Sequence, residues 1–92
     1  MKKDISLKNR DRLVQLGIVI ASLRKVRGLS QEQLAEKANI SRAALSLIET
    51  PNMVQNFSLD MLYNIADALE VSASDLLNAS LFSEEIKYKT VK

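Results

Sequence analysis

The chain contains no cysteine and no histidine. Without cysteine there is no disulfide framework and no thiolate metal site, and nothing argues for secretion. Losing histidine as well removes the usual zinc ligands and the usual general base, and cysteine takes the strongest nucleophile with it. Proline occurs once, at Pro51, so only one point of the chain carries an obligatory break. No apolar run approaches the ~20 residues that a membrane span needs, and the N-terminus lacks the apolar core of a signal peptide. These absences point to a cytoplasmic domain without metal or cofactor, away from membranes, that is not an enzyme.

What is present is enough to fold. Ninety-two residues, 47% of them hydrophobic, make one small domain. The net charge is only +2, but it is unevenly placed. Residues 1–27 carry eight Lys or Arg (among them Lys8, Arg10 and Arg12) against Asp4 and Asp11. Residues 51–86 carry six acids and no base. Such polarity suits a molecule that turns one side to a polyanion, although it would also keep a small domain soluble.

A helical period runs from residue 11 to residue 78. Leu13, Leu16, Ile20 and Leu23 recur at three- and four-residue steps and predict a first helix that stops at Gly28, where a left-handed residue is needed. Ser30 with Gln33 three residues on forms a capping box for a second helix, which carries Leu34, Ala35 and Ala38 and ends at Asn39. Ser41 caps a third helix with Leu45 and Ile48 inward, and Pro51 forbids its continuation past Thr50. Ser58 opens a fourth helix with Leu59, Leu62, Ile65, Ala66 and Leu69 inward. Ser72 with Asp75 opens a short fifth helix carrying Leu76 and Leu77. Beyond Asn78, Ile86 and Tyr88 alternate with lysines in a strand-like pattern. The expected architecture is all-α, five helices with a possible short C-terminal strand or tail. It divides into a basic segment over 1–10, a helical domain over 11–78 and a tail over 79–92.

The second and third helices are separated only by Asn39, Ile40 and Ser41, a turn short enough to force a steep crossing. The spacing of Gln31, Leu34, Ala35, Ile40, Leu45, Ile48 and Glu49, in a segment that opens with "LSQEQLAEKANIS", resembles the Xre/Cro-type helix-turn-helix family. That family includes phage repressors, restriction-modification controller proteins and some antitoxins. The resemblance spans roughly residues 16–77. It implies a sequence-specific DNA-binding transcriptional regulator of repressor type, binding double-stranded DNA through a recognition helix at 41–49. By position it implies that Arg42, Ala43, Ser46 and Leu47 contact bases and that Gln31 meets a phosphate, with Ser41 beside it. It further implies that Arg24 pairs with Glu49 in a structural role.

Arg42 is the one side chain here that can grip guanine O6 and N7, whereas Ala43 offers small apolar contact to a thymine methyl. Ser46 can bond almost any base edge, and Leu47 gives apolar contact alone. The chain departs from the family after Glu49, where Thr50 and Pro51 replace a basic residue and glycine, and the next loop has no Lys or Arg. Phosphate contacts would then come from backbone N–H groups at Asn56 and Phe57 and from Arg10 and Arg12. One such helix reads too little DNA, so a homodimer on a palindromic operator is expected. Leu77, Leu81 and Phe82 are the apolar residues left over to build its interface. Two alternatives stay open: an antitoxin with a cognate toxin partner, and a protein-interaction module that has lost DNA binding.

Overall fold

The computed structural model describes residues 6–51 and 58–79. They form α1 (Leu7–Val26), α2 (Gln31–Ala38), α3 (Arg42–Glu49) and α4 (Leu59–Leu69), and α5 over residues 73–79. The fold is all-α, with no strand among the described residues. Ile86 and Tyr88, with their strand-like alternation, lie outside them.

A serine writes the start of each helix. The side chains of Ser6, Ser30, Ser41 and Ser58 accept from Asn9, Gln33, Ala44 and Met61 backbone N–H groups respectively. Each thereby satisfies a donor that the first helical turn leaves unpaired. Ser30 completes its capping box, its own N–H donating to Gln33 Oε1 at 2.8 Å. Ser72 does the same work for α5, accepting from the Asp75 N–H at 3.0 Å.

Three helix ends are closed by left-handed residues, Gly28 (φ 73°), Asn39 (φ 58°) and Glu70 (φ 63°). In each case the next N–H reaches back to the carbonyl five residues earlier: Leu29 to Arg24, Ile40 to Ala35, Val71 to Ala66. Glycine and asparagine tolerate this conformation; a glutamate pays for its Cβ there. Glu70→Gly is therefore expected to stabilise the domain by about 0.5–1 kcal/mol, raising the melting midpoint a few degrees. A lowered midpoint would show that the Glu70 side chain holds something that the helix end needs.

The start of α1 differs from expectation. Its apolar pattern begins at Leu13, yet the helix begins at Leu7 behind the Ser6 cap. The first turn buries nothing, and Leu7 itself is 84% exposed, so hydrophobic period carried no signal for it. Lys8 and Arg10 consequently stand on a helix and not in a leading segment.

The core is made by Leu16 and Ile20 of α1, Leu34 of α2, Leu45 of α3, Ile65 and Leu69 of α4, and Leu76 of α5. α2 packs on α4, and α3 packs on both α1 and α2. Leu59, expected inward with Leu62, is 68% exposed. It is the first residue of α4, one turn short of the level at which Leu62 enters the core. At Gly17 the backbone of α1 presses against the end of α3, where a Cβ would run into the Ile48 carbonyl oxygen.

Candidate nucleic-acid interface

The site is built from the two helices that flank the Asn39–Ser41 turn. Asn39 takes the left-handed conformation that reverses the chain. Ile40 is half-buried, and Ser41 is spent on capping, its Oγ accepting from the Ala44 N–H at 3.0 Å. The chain therefore leaves α2 and enters α3 with no slack.

Burial then sorts the faces of α3. Leu45 and Ile48 are buried, which fixes the helix's rotation. Arg42 and Ala43 are exposed, and Ala44, Ser46 and Leu47 are half-buried. The four side chains expected to reach bases thus share the surface that Leu45 and Ile48 leave outward. Arg42 makes no ion pair or hydrogen bond among the described residues, so its guanidinium carries its full complement of donors outward.

Behind this surface lies a tie between three helices. Arg24 of α1 donates through Nε to Glu49 Oε2 at 2.8 Å and through Nη2 to Oε1 at 3.0 Å. Its Nη1 donates to the Leu29 carbonyl at 2.8 Å. The two side chains are 11% and 4% exposed. A forked, largely dry pair of this kind fixes geometry more than it adds stability, and breaking one side is costly. Gln31, the first residue of α2, joins the same carboxylate, donating through Nε2 to Glu49 Oε1 at 2.9 Å. Sequence alone did not indicate that Gln31 would be held from within. Nor did it show Arg27 donating through Nε to the Leu69 carbonyl at 2.8 Å, closing the end of α4.

Lys8, Arg10 and Arg12 lie on α1. Arg10 is exposed, and Arg12 is half-buried with Nη1 on Asn9 Oδ1 at 3.3 Å. Leu77 is 42% exposed on α5. Asn56, Phe57, Leu81 and Phe82 lie outside the described residues. Among those described, no group of His, Cys, Asp or Glu is placed to hold a metal ion, and no helix is long and apolar enough to cross a membrane.

A sequence model of the helix-turn-helix family matches residues 20–76. The chain is 40% identical over 63 residues to the HTH-type transcriptional regulator SinR of Bacillus licheniformis, covering 68% of this chain and 56% of that protein. It is 40% identical over 70 residues to the immunity repressor protein of Bacillus phage phi105, covering 76% of this chain and 47% of that one. The chain thus spans about half the length of these two relatives. The restriction-modification controller protein C.AhdI from Aeromonas hydrophila superposes with a TM-score of 0.65 at 33% identity, over 70% of this chain and 94% of that chain.

Proposed function

This chain belongs to the Xre/Cro-type helix-turn-helix family, and on that footing we propose that it is a sequence-specific DNA-binding transcriptional regulator, acting in the cytoplasm as a homodimer on a palindromic operator. The observation that carries this is the outward face of α3, capped at Ser41, rotated by Leu45 and Ile48, and headed by an Arg42 that is exposed and without a partner among the described residues. The relatives in which the same segment recurs are a regulator, a repressor and a controller, none of them an enzyme.

In this reading Arg42 reads guanine, Ala43 packs on a thymine methyl, and Ser46 and Leu47 line the remaining base edges. Gln31 and Ser41 meet phosphates at the start of α2 and α3, where the helix dipoles already favour an anion. Arg10 and Arg12 add backbone charge, as would N–H groups at Asn56 and Phe57. Leu77, with Leu81 and Phe82, joins two copies so that their recognition helices lie one DNA turn apart, ~34 Å. Selection of bound duplexes from a random pool tests the whole. Inverted half-sites at that spacing are expected. No enrichment, and no mobility shift on any duplex at low salt, would leave a protein-interaction module that has kept the fold.

Two substitutions separate base reading from backbone attraction. Arg42→Ala should cost about 1–3 kcal/mol on the selected site and relax preference at one base pair per half-site. Arg10→Gln should weaken every duplex alike and reduce the salt slope of log K by about one per subunit. Uniform loss with Arg42→Ala would make it a phosphate contact, and an unchanged slope with Arg10→Gln would turn that side of α1 away from DNA.

A further inference from the structure

Glu49 has more bound to it than a structural pair requires. Its Oε1 accepts twice, from Arg24 Nη2 at 3.0 Å and from Gln31 Nε2 at 2.9 Å, on a side chain only 4% exposed. A carboxylate only accepts, so the end of the Gln31 amide that meets Glu49 Oε1 has to be the nitrogen. The carbonyl end would face the carboxylate lone pairs. One N–H of Gln31 is used on Glu49, and the other has no acceptor among the described residues. It lies at the first turn of α2, where the Ser30 cap takes the Gln33 N–H and Leu34 begins the intrahelical bonds. The N–H groups of Gln31 and Glu32 are the ones that a helix start leaves without an internal acceptor.

We propose that Glu49 is a positioning residue for DNA binding: by holding the Gln31 nitrogen it keeps an amide donor, and not the amide carbonyl, available to the phosphate at the start of α2. Glu49 touches no DNA in this arrangement. It acts through Gln31, and Arg24, locked to the same carboxylate and to the Leu29 carbonyl, holds Glu49 in turn. An unrestrained glutamine would offer its two ends equally, and one of them repels a phosphate. The inference rests on the reading that Gln31 meets a phosphate.

The test is a double-mutant cycle in the full chain, read on the selected operator. Gln31→Met keeps the length and removes the amide; Glu49→Gln keeps the shape and removes the acceptor-only character. Each alone should weaken binding about tenfold, the size of one hydrogen bond to a charged group, and the double variant should bind no worse than Gln31→Met. Multiplying losses would overturn the positioning role and leave the phosphate reading intact. Unchanged binding by Gln31→Met would remove both. Glu49→Gln leaves Arg24 without its carboxylate, so a measurement on the unaltered protein stands beside it. In free protein one proton of the Gln31 side-chain amide should exchange slowly with solvent. Its twin should shift on operator, but not on operator carrying a methylphosphonate at the phosphate facing α2. Two rapidly exchanging amide protons in the free protein would overturn the proposal without any substitution.

Discussion

Gly17→Ala should destabilise the domain by about 3 kcal/mol, the upper end of what one forced methyl costs in a packed interior. The sign is the informative part. Glycine in a helix interior is worse than alanine by about 1 kcal/mol, so at an indifferent site the substitution would stabilise. At Gly17 the added carbon meets the Ile48 carbonyl, which is backbone and cannot swing aside as a side chain would. Relief requires α1 and α3 to separate, and that opens the contact between Leu16, Ile20, Leu45 and Ile48. The same separation would shift α3 against α2 and carry Arg42 away from Gln31, so operator binding should fail at temperatures where the variant is still folded. For a domain of this size the melting midpoint should fall by more than about 10 °C. Gly28→Ala is the control: nothing lies within 4 Å of its added carbon, and its cost is the left-handed φ of 73° alone. A neutral or stabilising Gly17→Ala would mean that the two helices have room to spare.

The contrast between these two glycines shows what sequence could and could not supply. Gly28 was legible because its reason is local: a helix ends, and the next residue turns left-handed. The same holds for the serine caps of α2 to α5, for Asn39 and for the break at Pro51, each decided within four residues. Gly17 owes its identity to a carbonyl on another helix, and no window of sequence contains that distance. The Arg24–Glu49 pair was reached through family resemblance, and its geometry then showed Gln31 as a third member that spacing did not suggest. Leu59 was misassigned because period gives a helix's apolar direction and not the level at which its core begins. The outward placement of Arg42 and Ala43 follows from the inward placement of Leu45 and Ile48, so it was legible. What those side chains touch was not, since the partner is outside the chain.

The same limit governs the proposed dimer, and there the expected effect is largest. Leu76 and Leu77 are neighbours on α5 with opposite surroundings, the first fully buried and the second 42% exposed. Leu77→Glu should therefore leave the isolated domain's stability within about 0.5 kcal/mol, as for an ordinary surface change. If Leu77 packs against its twin, the same glutamate is forced into an apolar contact without a partner, at a cost of several kcal/mol. The dimer should then fall apart at concentrations where the unaltered chain is paired. Operator binding should drop about 100- to 10,000-fold, because the second half-site loses the high effective concentration that linkage to the first provides. Sedimentation equilibrium reads the assembly and mobility shift reads the affinity, while an unmoved melting curve for the monomer separates lost association from lost folding. Truncation after Asn78, which removes Leu81 and Phe82, should have the same outcome if the three residues form one interface. Dissociation by truncation but not by Leu77→Glu would confine the contact to the tail, and a dimer that survives both would refute association through α5. The two losses need not be equal, since a truncation takes contact away whereas the glutamate also leaves a charge behind. The charge should make Leu77→Glu the more damaging of the two, and raising the salt should not rescue it, because the penalty is desolvation and not repulsion at long range.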